Sequence, residues 1–230
     1  MITESTTSAA VTSEGRDAGR FAGIAFGITF LAGTTLWGLG VQVFDSDLQT
    51  LRADSSGETT RTLSMLLSHL IMPIAAVFLL WTVARLRSAL DTAAGRTSVA
   101  GQVAYGSAVV VAVGFCLMAA AQNVAILVAG GGYIDGFPAD PAVGYGIALF
   151  SGYVGNATIW GAAAMMIAVG VAAWQSRLIA RWLIWMGFVT SPLLIIGWYY
   201  GVPVLLLCVW VAAAGLTVQT DQGWSPRTGA

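Results

Sequence analysis

Long apolar runs constrain this chain more than any other feature. A hydrocarbon layer about 30 Å thick is crossed by roughly 20 apolar residues in helical form. Six runs of this kind can be counted, at residues 21–44, 63–84, 103–129, 143–173, 182–200 and 202–219. A closed barrel would instead show short segments polar at every second position. Stretches such as IMPIAAVFLLW and VPVLLLCVWVAAAGL are apolar on all sides. In lipid, a helix satisfies its own backbone polar groups, so these runs are helices. The expected fold is all-α, a polytopic bundle of six transmembrane helices at residues 21–219, with a polar N-terminal tail at 1–20 and a C-terminal tail at 220–230.

Composition agrees. Hydrophobic residues make up 57% and charged residues 9% of the chain, and the mean hydropathy is +0.79, which is too apolar for an ordinary soluble domain. A net charge of −1 offers no basic face, so nucleic acid is not an expected partner. The expected partners are the lipid bilayer and either another protein or further copies of the chain. The first twenty residues lack a basic cluster leading into an apolar stretch and a cleavage site, so no secretory signal is read there.

Orientation follows from arginine, the sole basic residue type in the chain. Arg16 and Arg20 precede the first run; Arg85, Arg87 and Arg96 follow the second; Arg177 and Arg181 follow the fourth; Arg227 follows the last. These fall on one side, which the positive-inside rule makes cytoplasmic, with both termini inside. The opposite side carries Arg52 and Arg61 with Asp45, Asp47, Asp54, Glu58, Asp135 and Asp140, so its loops are net acidic. Its first loop, DSDLQTLRADSSGETTR, is polar, and its second, GGGYIDGFPADPAVGYG, is expected to be irregular. Trp198, Tyr199 and Tyr200 are placed at the outer boundary, where amphipathic rings settle.

Packing signals are few. Gly23 and Gly27 in GIAFG, and Ser151 with Gly155, have the one-turn spacing that lets helices approach closely. Pro73 and Pro192 each remove a backbone donor inside a span and are expected to bend it. Cys116 and Cys208, in separate runs, read as small hydrophobes.

Ionisable or strongly polar residues within a span are functional candidates by default. The single histidine, in MLLSHLIMP, lies roughly 10 Å below the outer boundary at 1.5 Å per residue. Gln122 and Asn123 lie at similar depth on the third run, and Asn156 somewhat deeper on the fourth, with Tyr153 one turn above. Gln42 caps the first run. Convergence of His69, Gln122, Asn123, Tyr153, Asn156 and Gln42 would form a polar pocket open to the outside. Interhelical hydrogen bonding by the same groups is the structural alternative. Met65, His69 and Met72, at i, i+4 and i+7 on one helix face, form a thioether and imidazole set suited to Cu(I), to which Cys116 and Met118 could add sulfur. Methionines filling core gaps explain the same spacing. The sequence shows no paired carboxylates in a span, no phosphate loop, no zinc motif and no serine with a histidine base.

The stretch AWQSRLIARWLIWMGFVTSPLLIIGWYY, residues 173–200, ends one span at a short arginine-bearing turn and begins another at once. With the inner N-terminus, long first outer loop and basic inner loop, it resembles the six-span bacterial integral-membrane proteins grouped as domains of unknown function. The resemblance implies a membrane protein of that kind and supplies no catalytic residues. The expected location is the bacterial inner membrane, and no cofactor is expected. The expected role is an accessory or structural membrane subunit rather than an enzyme. The rivals are an outward-facing protein that binds or transports a small molecule or lipid, and an intramembrane redox or metal-binding protein.

Overall fold

The computed structural model describes residues 21–41, 55–130, 141–197 and 202–217. All of its regular structure is helical: α1 (Ala22–Val41), α2 (Ser55–Ala94), α3 (Val99–Gly130), α4 (Pro141–Ser176), α5 (Arg181–Gly197) and α6 (Val202–Thr217). Three stretches are long and apolar enough to cross a membrane: His69–Ala94, Val99–Ala125 and Ala142–Ser176. Ala22–Thr35, Arg181–Ile196 and Val202–Thr217 are shorter apolar helices. The six expected runs thus correspond to three qualifying spans and three shorter helices. Both expected tails, and the tip of the second outer loop at 131–140, lie outside the described residues.

Two boundaries differ from the sequence reading. Helix α2 begins at Ser55, inside the polar stretch expected to be a loop, and continues to Ala94, ten residues past the expected end of its span. Hydropathy marks where lipid ends, whereas a helix, once nucleated, extends at low cost into polar sequence. At the far end the extension is also amphipathic. Leu86 and Leu90 carry on the helical spacing of Leu79 and Val83 within the span, and all four are buried. Helix α4 begins at Pro141, where a proline suits the first turn because its missing N–H has no helical partner. Helices α2 and α5 run unbroken through Pro73 and Pro192.

Each helix packs against its neighbours in sequence, and α6 returns to α1, closing a ring; the α3–α4 pair is the most extensive. At the centre, Phe26 stacks on Phe30 with ring centroids 5.4 Å apart, and Phe30 meets Phe115 of α3 at 4.5 Å. Glycines set the closest crossings. A Cβ at Gly23 would stand 2.7 Å from the Val211 carbonyl oxygen, and one at Gly27 would stand 3.6 Å from that of Cys208. The GIAFG spacing therefore marks the α1–α6 crossing, with Cys208 buried beside it. Ser151 is buried and donates to the Met118 carbonyl across α3–α4 (3.4 Å). On α5, Ser191 donates to Gly187 of its own helix (2.8 Å) and reaches the Ala163 carbonyl on α4 (3.3 Å).

The α2–α3 turn is built around one carboxylate. Asp91 Oδ1 accepts the Ser98 N–H (2.8 Å), while Oδ2 faces Arg87 Nε at 3.6 Å. Ser98 Oγ accepts the Gly101 N–H (3.1 Å), capping α3. Arg87 also lies over the Tyr105 ring, 5.6 Å from its centroid. Gly95, at φ +62°, makes the left-handed reversal that ends α2. Replacing Asp91 by alanine is expected to cost about 1–2 kcal/mol, because a charge-assisted hydrogen bond and an ion pair are lost together. Asp91→Asn, which keeps an acceptor for Ser98, should cost less; thermal unfolding of the two purified variants checks the order.

Candidate functional site

The MLLSHLIMP stretch lies in α2, with Pro73 four residues after His69. Proline has no N–H, so the His69 carbonyl loses its normal intrahelical donor. The imidazole of the same residue meets α3, where Asn123 Nδ2 donates to His69 Nδ1 over 2.8 Å. His69 is exposed and Asn123 half-buried, so the pair sits at the bundle surface. The imidazole is left accessible.

The other expected pocket residues are dispersed. Gln122 is half-buried next to Asn123, one position round the helix. Tyr153 and Asn156 lie on an exposed face of α4, and among the described residues neither hydrogen-bonds to His69 or Asn123. Gln42 lies outside the described residues.

The thioether set divides as well. Met72 is buried, 1% exposed, with its sulfur against Gly33 of α1, where an added Cβ would be 3.2 Å from Sδ. Its neighbour His69 faces outward. Met65 is described in backbone only. Met118 is buried in the core and Cys116 is half-buried on α3. Among the described residues, no group of three or more His, Cys, Asp or Glu side chains is placed to hold a metal ion.

Open space lies away from the expected pocket residues. A cleft of about 850 Å³ opens between the α2–α3 turn and the last turns of α4, roughly 30 Å along α2 from His69 at 1.5 Å per residue. None of the expected pocket residues lines it. It lies at the end where Arg96 and Ser176 come together, so the arginine-bearing turns after α2 and α4 share one end of the molecule. That end also carries rings the sequence reading passed over. Trp174 meets Trp185 edge-on at 5.9 Å, Trp185 meets Phe188 at 6.1 Å, and Trp182 is exposed. Their signal was available as three tryptophans within twelve residues of Arg177 and Arg181, a composition expected at a membrane interface. Trp198, Tyr199 and Tyr200, expected at the opposite boundary, lie outside the described residues.

Fold and site together define a helical protein with apolar helices suited to a membrane. Comparison with protein-family models, curated proteins and solved structures finds no match to this chain.

Proposed function

We propose that the chain is a six-span integral protein of the bacterial cytoplasmic membrane, with both ends on the cytoplasmic side, acting as an accessory or structural subunit. One observation carries this reading: four polar side chains within the helices bridge one helix to another. Asn123 holds His69, Ser151 holds the Met118 carbonyl, Ser191 holds Ala163, and Trp210 holds the Leu183 carbonyl. The distribution of arginine supports the orientation, and the acidic sequence expected on the outer side suits contact with a partner protein.

The exposed His69 ring, held by Asn123, favours a second reading, in which these two side chains form the floor of an outward-facing site for a small polar or lipid-like molecule. Thermal unfolding of wild type and His69→Ala, against metals, quinones, lipids and small polar solutes, separates the two. For a structural pair, His69→Ala melts earlier by the equivalent of about 0.6 kcal/mol, the average of a hydrogen bond between membrane helices, and both proteins respond alike to every compound. A compound that raises the melting point of wild type alone would replace the structural reading with the second, because a ligand bound only to the folded form must stabilise it.

A further inference from the structure

We infer that the cleft at the arginine-bearing end is a binding site for one anionic phospholipid, its headgroup at Arg96 and an acyl chain along α4. The inference goes beyond a structural role and rests on the membrane-spanning part of the reading above.

The cleft is graded in polarity along its length. At one end are Arg96, Thr97, Ser98, Gln175 and Ser176; towards the other the lining is Val103, Ala164, Ile167 and Val171. From Ser176 to Ala164 the α4 wall runs roughly 18 Å at 1.5 Å per residue, which is the reach of most of an acyl chain. Its floor is made of small side chains, among them Ala100, Ala168 and Ala172, which is why a channel remains between α3 and α4. The apolar walls are open to the surroundings, with Val103 and Ile167 both more than two-fifths exposed.

Charge selects the occupant. Arg96 is exposed at the polar end of the cleft; Arg177 follows its Ser176 wall directly, and Arg181 opens α5. Among the described residues at this end, the one carboxylate is Asp91, already engaged by Arg87 and the Ser98 N–H. The uncompensated charge there is positive, next to an apolar channel that begins at the interface. A zwitterionic lipid would fill the channel without balancing the charge, and a free anion would balance the charge without filling the channel. An anionic phospholipid does both, and basic pockets between membrane helices have this preference.

The test is thermal unfolding of the purified full chain in neutral detergent with added phosphatidylglycerol, phosphatidylcholine of the same acyl chains, or inorganic phosphate. Phosphatidylglycerol should raise the melting point most. Arg96→Gln should weaken its apparent affinity about fivefold, the equivalent of one interfacial arginine. Ala164→Trp, which fills the tail end from an exposed position, should abolish the response, whereas Val113→Trp on an exposed face of α3 should not. Equal responses to the two lipids, no response to either, or indifference to both cleft variants would overturn the inference. An effect of phosphate alone that survives Ala164→Trp would overturn it in favour of a simple anion site. Halving of the particle mass by Ala164→Trp would do so in favour of a contact between copies. Alkaline carbonate extraction keeps the two levels apart: release from the membrane defeats the spanning reading itself, whereas retention without a phosphatidylglycerol preference defeats this inference alone.

Discussion

Gly114→Ala is expected to destabilise the protein by about 1–3 kcal/mol, the range for forcing a methyl group into a filled core. The Cβ would fall on Thr158 Oγ1 and would stand 3.0 Å from Thr158 Cβ and 3.2 Å from Cγ2. Thr158 is buried, and its hydroxyl donates to the Val154 carbonyl over 2.8 Å, so turning away breaks a hydrogen bond. A β-branched side chain has few other rotamers to adopt in a helix. This contact lies in the α3–α4 pair, the largest helix interface in the molecule. Elsewhere on α3 the same substitution should act in the opposite direction. A Cβ at Gly106 meets nothing within 4 Å, so Gly106→Ala should be neutral or stabilising through helix propensity, by up to about 1 kcal/mol. Thr158→Ala should rescue Gly114→Ala, giving a coupling of about 0.5–3 kcal/mol in a double-mutant cycle. Additive losses would show that the two side chains are not the point of contact.

Trp210→Ala should cost more, about 3–5 kcal/mol, as expected for removing a buried large aromatic ring. Trp210 is among the largest fully buried side chains. Its indole Nε1 donates to the Leu183 carbonyl over 2.9 Å, joining α6 to the first turn of α5. The ring fits because position 187 is glycine: a Cβ there would be 2.9 Å from Nε1. Trp210→Phe keeps much of the volume and loses the donor, so it should cost far less than Trp210→Ala. Gly187→Leu should resemble Trp210→Ala, since the indole is displaced. Unfolding of the three variants in mixed micelles gives the order. A Trp210→Phe protein as unstable as Trp210→Ala would mean that the hydrogen bond, and not the volume, holds α5 to α6.

These two contacts show where sequence reading works and where it stops. Gly23 and Gly27 were legible because both partners of their spacing lie on one helix and face the same way. Gly114 and Thr158 were not, because the meeting of a glycine on α3 with a threonine on α4 depends on the rotation of each helix about its axis. The candidate site divides along the same line. His69 and Asn123 share a depth, which can be counted along the chain, and they meet. Tyr153 and Asn156 were grouped with them by the same counting, yet α4 turns both outward. Met72 was grouped with His69 by helical spacing, and the structure seats it against Gly33. The polarity-graded cleft was not legible at all: Arg96 enters the sequence reading as a topology signal, and Ala164, Ala168 and Ala172 are indistinguishable there from any other small apolar residues.

That the chain is helical and apolar, roughly where its helices run, and how far along each helix a polar group lies can all be read from the residues in order. Those properties follow from backbone hydrogen bonding and hydropathy, which read along one dimension. Packing between helices set which face of each turns inward, closed the ring of α6 on α1, and left the His69–Asn123 pair and the cleft roughly 30 Å apart along α2. The reason is physical. In lipid the surroundings are as apolar as the interior, so hydropathy does not mark the buried face; shape does, through the fit of Trp210 over Gly187, Thr158 beside Gly114 and Val211 over Gly23.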